Sequence, residues 1–308
     1  MNFYIIRLSF NKLKQKELFV KEYHGTKMEL VERLLQENSQ YIPETKKGHV
    51  NFHFGNFRFE KSNHEERLYF ATLGKYKISE IKRYNQQEKE HYKEKTTSSP
   101  WIVFLIDRNE QVFIIQKDTA VFPKYDSLFN SIKEHLNSLL HEYDLSVSLA
   151  PITFPNDFWK HVDEYDFIYT VNFELFMPNL FGGDTNKSAE EILSDVHDRH
   201  NADKLSAEIE NSEGGALKLS RDDEGINNWL DWIGKGGGKW FMWCKKGTSR
   251  NKNKIVSTKE AQAFSTTTDI EPLENERNLH KSVTSTIKEL KKYYFTQNTS
   301  VQAKGKIK

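Results

Sequence analysis

The sequence predicts an α+β protein of two mixed domains, the second of them ferredoxin-like, and three observations carry that reading. Strand-type alternation and helix-type periodicity interleave along the chain. Val50, Phe52 and Phe54 alternate with Asn51 and His53, while Leu128, Ile132, Leu136, Leu139 and Leu140 recur at helical spacing. Pro151 and Pro155 interrupt the pattern near mid-chain. After them the elements run β-α-β-β-α-β, the split βαβ order of ferredoxin-like domains, with both helices on one face of an antiparallel sheet.

The first domain is assigned to residues 1–150. Strands are predicted over Asn2–Phe10, Val50–Phe59, Arg67–Thr72, Trp101–Ile106 and Gln111–Gln116. A helix over Lys27–Gln36 carries Met28, Val31, Leu34 and Leu35 on one face, and a second runs over Ser127–Tyr143. Between Tyr84 and Ser99 the chain reads YNQQEKEHYKEKTTSS, which has almost no aliphatic residue and is expected to be a solvated loop or frayed helix.

The second domain is assigned to residues 151–295. Phe167, Tyr169, Val171, Phe173 and Leu175 alternate in a strand over Phe167–Phe176. Ser188-Ala189-Glu190-Glu191 forms a capping box ahead of Ile192, Leu193 and Val196. Leu205, Ala207 and Ile209 mark a strand, a turn follows at Asn211–Gly215, and Ala216–Ser220 is expected to pair as its hairpin partner. Asp222 or Asp223 caps a helix striped by Ile226, Trp229, Leu230 and Ile233, after which Lys239–Lys245 is the next strand. A last helix over Leu273–Tyr294 is assigned to this domain, and residues 296–308 to a disordered basic tail.

Composition narrows the function. The chain has 308 residues and a formal net charge of +1, so contact with a polyanion must come from a local patch. Its 1 cysteine, Cys244, excludes an intramolecular disulfide framework and a cysteine-based zinc site. No apolar run approaches the roughly 20 residues of a membrane helix, and the opening MNFYIIRLSF does not read as a signal peptide. The expectation is a soluble cytoplasmic protein without a membrane association.

Residues 229–254, WLDWIGKGGGKWFMWCKKGTSRNKNK, form the local patch. They hold Trp229, Trp232, Trp240 and Trp243, the glycines 234 and 236–238, and a basic run without an acid after Lys235. Glycines free backbone N–H groups, lysines add charge and aromatic rings offer stacking faces, a combination suited to nucleic acid. The candidate contacts are Lys235, Gly236, Gly237, Gly238, Lys239, Trp240, Lys245, Lys246, Arg250, Lys252 and Lys254. The loop is no Walker motif: the outer glycines are one residue too close, Trp240 replaces the hydroxyl that binds magnesium, and a helix precedes it. A helix stop followed by a tight turn, with the tryptophans in the core, accounts for the same residues. A base-stacking platform on the first and third strands finds Tyr169 and Phe173 on the first but no aromatic in Ala216–Ser220.

Other chemistry is thinner. His197 and His200 with Asp198 have no further metal ligand at a recognisable spacing. Asp107 and Lys117 end neighbouring strands as in restriction-type nucleases, yet Ile115 stands where a metal-binding side chain is required. His53 beside Asn51 is a candidate metal-free general base that lacks a second group. Cys244, although followed by Lys245 and Lys246, reads as a buried structural thiol. No cofactor is expected.

Two resemblances add to this. The order of elements from Phe167 to Lys246, with Gly234–Gly238 between helix and strand, is similar to the repeat-associated RNA-binding proteins of CRISPR systems. Leu73-Gly74-Lys75-Tyr76, Trp101–Asp107 and Phe176-Met177-Pro178-Asn179 resemble uncharacterised bacterial proteins found beside phage-defence genes. They imply an RNA-binding accessory protein of antiviral defence that grips backbone through the Gly/Lys loop, with a possible protein partner from a neighbouring gene. A protein-interaction or toxin-neutralising subunit and a metal-independent ribonuclease are the alternatives.

Overall fold

The computed structural model describes residues 1–13, 20–43, 47, 49–59, 68–176, 192–193, 195–196, 199–200, 202, 204–211, 215–247, 254–258, 263–271 and 276–294. The first half holds β1 (Asn2–Lys12), α1 (Lys27–Glu37), β2 (Gln40–Tyr41), β3 (Phe52–Phe59), β4 (Leu68–Gly74), β5 (Lys77–Asn85) and β6 (Glu90–Ser98). β7 (Trp101–Asp107), β8 (Val112–Gln116), α2 (Tyr125–Leu140) and β9 (Leu145–Pro151) complete it. Then come α3 (Pro155–Glu164), β10 (Phe167–Phe176), β11 (Lys204–Glu210), α4 (Glu224–Trp232) and β12 (Gly238–Lys245). β13 (Lys254–Ser257), β14 (Phe264–Ser265) and α5 (Glu276–Tyr294) close the chain.

Mixed α and β elements with antiparallel sheets are what the alternating and helical patterns predict. The first sheet has eight strands, ordered β14-β1-β8-β7-β4-β3-β2, with β9 also paired to β1. Its central strands carry unbroken apolar runs because both faces are covered. On one face α1 and α2 bury Leu30, Val31, Leu128, Ile132 and Leu136 against Ile6, Phe104 and Phe113. On the other, α5 buries Leu279, Val283, Ile287 and Leu290 against Ile5, Val103, Leu105 and Ile114. α1 begins on a capping box: Glu29 N–H donates to Thr26 Oγ1 at 3.2 Å, and Thr26 N–H donates to Glu29 Oε2 at 2.8 Å.

The second sheet is ordered β11-β10-β12-β13, every pair antiparallel. α3 and α4 cover one face, placing Phe158, Trp159, Ile226, Leu230 and Trp232 over Val171, Phe173, Trp240 and Met242. Asp223 is the residue that caps α4, accepting from Ile226 N–H at 3.0 Å.

Four expectations need correction. Ala216–Ser220 is not a strand: Leu217 N–H donates to Ile168 O, but Leu217 and Leu219 pack on the core and β11 pairs directly with β10. That displaces the predicted ferredoxin-like pairing. The last helix does not belong with the second sheet, because its apolar stripe completes the first. β14 likewise pairs back onto β1, so the chain crosses from the second sheet to the first before it ends. Residues 84–99, expected as a loop or frayed helix, form most of a β-hairpin held by the inner ladder between its two strands, without any apolar face. The capping box at Ser188 and the 296–308 tail lie outside the described residues.

Candidate nucleic-acid interface

The glycine run occupies the junction between the two sheets. α4 ends in a wide turn over Ile233–Gly237, in which Gly234, Gly236 and Gly237 are buried, as is Gly238 at the start of β12. Arg7, on β1, reaches into this turn. Its Nε donates to Lys235 O at 2.6 Å, Nη1 to Glu110 O at 2.9 Å and Nη2 to Tyr294 O at 2.8 Å. One buried guanidinium thereby ties the turn to the β7–β8 connection and the end of α5. Burial lowers its pKa, while Glu110 and Asp107 oppose that shift.

Glycine is required here for two reasons. Gly236 has φ of 83°, a left-handed conformation, and a Cβ on it would stand 2.6 Å from Arg7 Cβ. A Cβ on Gly238 would run into the carbonyl oxygen of Glu174 on the neighbouring strand. Gly237 lies against the indole of Trp232, which donates to Phe176 O at 3.3 Å. The expected backbone grip through Gly236, Gly237 and Gly238 is therefore replaced by interior packing, because these backbones face Arg7, Trp232 and β10 rather than solvent.

β12 separates the remaining candidates by parity. Trp240, Met242 and Cys244 point into the core; Trp240 is 2% exposed and meets Phe158 edge-on at 5.3 Å. Trp240 is thus no stacking platform. Lys239, Phe241, Trp243 and Lys245 point to the sheet face opposite the helices. There Trp243 lies opposite Thr170 and Ile255, and Phe241 opposite Asn172 and Ser257. Trp243 is 49% exposed and Ile255 68%. Phe167, opposite Lys245, stacks on Tyr169 with centroids 6.4 Å apart and planes at 11°. Four aromatic side chains thus lie on two adjacent central strands.

Charge gathers at the other end of this face. Lys239 Nζ is 3.0 Å and Lys204 Nζ 3.1 Å from the Glu174 carboxylate. Burial raises the Glu174 pKa, but the hydrogen bonds from Lys239 and Lys204 outweigh it and hold the carboxyl below its ordinary value. Lys133 of α2 comes close enough to sense the same cluster. Loss of hydration, then Lys239 and Lys204, push its ammonium below the ordinary lysine range. Two lysines paired to one glutamate, with Lys133 near them, leave a positive excess at this end. Glu208 and Glu210 of β11 stand opposite Asn172 and Thr170 further along the same face. Lys239 also lies 5.2 Å from the centroid of the Phe241 ring, which joins the charged end to the aromatic end.

The other predicted contacts are dispersed. Lys235 Nζ sits 3.6 Å from Asp231, away from this face, and Lys246 Nζ 3.3 Å from Glu164. Lys254 opens β13 opposite Cys244, and its side chain, like Arg250 and Lys252, lies outside the described residues. Among the described members of the predicted set, only Lys239 and Lys245 share the open face. Lys133, Lys204, Phe241 and Trp243 were not among the sequence candidates, although parity along Lys239–Lys245 marks Phe241 and Trp243 once Trp240 is placed inside.

The remaining chemical candidates resolve into structural roles. Asp107 Oδ1 accepts from the N–H groups of Asn109 and Glu110, and its Oδ2 accepts from Tyr294 Oη at 3.1 Å. It organises the turn that holds Arg7. His53 Nε2 is 2.8 Å from Ser99 Oγ and its ring stacks on Tyr76 at 4.5 Å. Burial lowers its pKa, but its buried Nδ1 has no hydrogen-bond partner among the described residues, so no third group orients a Ser–His pair. Cys244 is buried. His197 and Asp198 lie outside the described residues, while Asp195 pairs with Arg199 at 2.6 Å. Among the described residues no group of three or more His, Cys, Asp or Glu side chains could hold a metal ion, and no helix is long and apolar enough to cross a membrane.

The chain matches no protein-family model, and no curated protein sequence matches it.

Proposed function

We propose that the chain binds single-stranded nucleic acid, RNA favoured, across the open face of the second sheet. The observation that carries this reading is a half-exposed Trp243 beside Phe241, Tyr169 and Phe167, continuous with the Lys133–Lys204–Lys239 cluster. Base stacking on an aromatic ring contributes about 1–3 kcal/mol per base and tolerates any sequence. The lysines supply phosphate contacts at one end, while Thr170, opposite Trp243, and the Oδ1 of Asn172, whose Nδ2 donates to Glu208 at 3.0 Å, offer groups that can meet a ribose 2′-hydroxyl. The protein acts as a non-catalytic accessory subunit in this reading. Its antiviral setting rests on the sequence resemblance.

The test is the salt dependence of binding to a labelled oligouridine. Each phosphate contact contributes about 0.7 to the slope of log affinity against log salt on a single strand. Lys133→Ala and Lys239→Ala are each expected to flatten that slope by about 0.7, whereas Lys246→Ala leaves it unchanged. Equal slopes in all four proteins, or no binding at low salt, would refute the reading. Ile255 beside Trp243 favours a second reading, a protein partner on the same face; its signature is binding insensitive to salt.

A further inference from the structure

β5 and β6 continue the β4–β7 pair outward. Leu68 pairs with Asp107 and Gly74 with Trp101; Lys75 N–H donates to Pro100 O; Lys77 pairs with Ser98 and Asn85 with Glu90, all in one unbroken register. Up to Gly74 the ladder is buried between helices. From Lys77 onward it is a two-stranded ribbon of its own, nine residues or about 30 Å long at ~3.3 Å per residue. His53, bonded to Ser99 and stacked on Tyr76, clips its root.

An isolated ribbon of this kind is marginal in water, and this one exposes Ile78 at 70%, Ile81 at 42% and Tyr84 at 51%. All three are on β5. The outer edge of β5 has no paired strand among the described residues, and no proline or bulge blunts it. Its sequence, Lys-Ile-Ser-Glu-Ile-Lys-Arg-Tyr-Asn, is complementary to itself when reversed about Ile81. A two-fold axis there sets Ile81 against Ile81, Glu80 against Lys82, Ser79 against Arg83 and Ile78 against Tyr84. Each opposed pair then sits on one face of the joined sheet, at the spacing of cross-strand neighbours. β6 lacks this property: reversal about Glu94 sets Glu94 against Glu94 and Lys93 against Lys95.

We propose that the chain forms a two-fold homodimer in which β5 pairs antiparallel with β5 of a second copy about Ile81, making one four-stranded sheet from two arms. The contact is small, which places the dimer among weak associations. It does not depend on the nucleic-acid reading.

The test is sedimentation equilibrium of the full chain across micromolar to several-hundred-micromolar concentrations. Wild type is expected to shift from monomer to dimer. Glu80→Lys and Lys82→Glu each place like charges across the axis twice and are expected to weaken association tenfold or more. The double variant E80K/K82E restores the pairing and returns the dimer; Glu80, which lies 3.3 Å from Lys93 Nζ within the arm, is then replaced as that lysine's partner by the acid at position 82, directly opposite Lys93. Because the only native cysteine, Cys244, is buried, Ile81→Cys reports on the axis by itself: mild oxidation is expected to yield a covalent dimer, and Ser98→Cys on β6 is not. The arm lies outside both cores, so circular dichroism should be unchanged in every variant. A monomer at all concentrations without Ile81→Cys cross-linking overturns the proposal. So does a dimer that ignores both single charge reversals.

Discussion

Gly236→Ala isolates the role of the glycine run. In the folded protein Gly236 holds φ of 83° with Arg7 Cβ 2.6 Å from the position a new Cβ would take. The left-handed conformation costs an L-residue about 1–2 kcal/mol. Forcing a methyl group against Arg7, whose guanidinium is fixed by three carbonyls, costs about 1–3 kcal/mol more. The stiffer unfolded chain acts in the opposite sense, stabilising the folded state by about 0.4–1 kcal/mol. The net is a loss of about 3 kcal/mol, a large share of a typical stability of about 5–15 kcal/mol. Urea unfolding followed by far-ultraviolet circular dichroism measures it, as a midpoint lowered by roughly 1 M or more. Lys235→Ala is the matched control: it removes only a half-exposed ion pair to Asp231, and its effect should stay within about 0.5 kcal/mol. Gly236→Ala unfolding at the wild-type midpoint would refute the assignment of this turn to the interior.

Two further substitutions follow from the buried polar groups. Arg7→Met removes the donor shared by Lys235 O, Glu110 O and Tyr294 O, with an expected loss of about 3–5 kcal/mol in the same assay; a change below about 1 kcal/mol contradicts the tie between the sheets. His135 donates through Nε2 to Asn38 O at 2.8 Å, and burial lowers its pKa despite that bond. The folded state therefore resists protonation, so stability is full above pH ~6.5, the unfolded value. It falls as pH drops toward the lower folded value, by up to about 1.4 kcal/mol per pH unit. Measured between pH 7.5 and 5.5, His135→Gln should fall less than wild type; an equal fall removes His135 as the cause.

Local pattern made most elements legible. The stripes of α1, α2 and α4 and the alternation of β10 and β12 each report a single buried face, so the sequence signal and the structure coincide. Partnership was less legible. Nothing local in Leu279, Val283, Ile287 and Leu290 says which sheet they cover, and the answer lies in the second apolar face of β1, β7 and β8, the one that α1 and α2 leave uncovered. The β5–β6 arm escaped because alternation is a signal of burial, and a ribbon wet on both faces has none. At the site, tryptophan, glycine and lysine were adjacent in sequence but not in role. The turn took the glycines inside, strand parity buried Trp240 and exposed Trp243, and Lys133 and Lys204 came from distant elements. The third-strand position that lacked an aromatic is filled in the structure by β12, which brings Phe241 and Trp243.

Binding of oligouridine by Trp243→Ala tests the proposed function most directly. Trp243 is half exposed on a strand whose inward residues hold the core, so its removal should lower the unfolding free energy by no more than about 1–2 kcal/mol and leave the protein folded. Loss of one stacked base weakens affinity by about 1–3 kcal/mol, or roughly 5- to 150-fold in Kd. Gly236→Ala, measured where it is folded, should bind as wild type does. Unchanged affinity in Trp243→Ala, or a loss confined to Gly236→Ala, would contradict the open-face account.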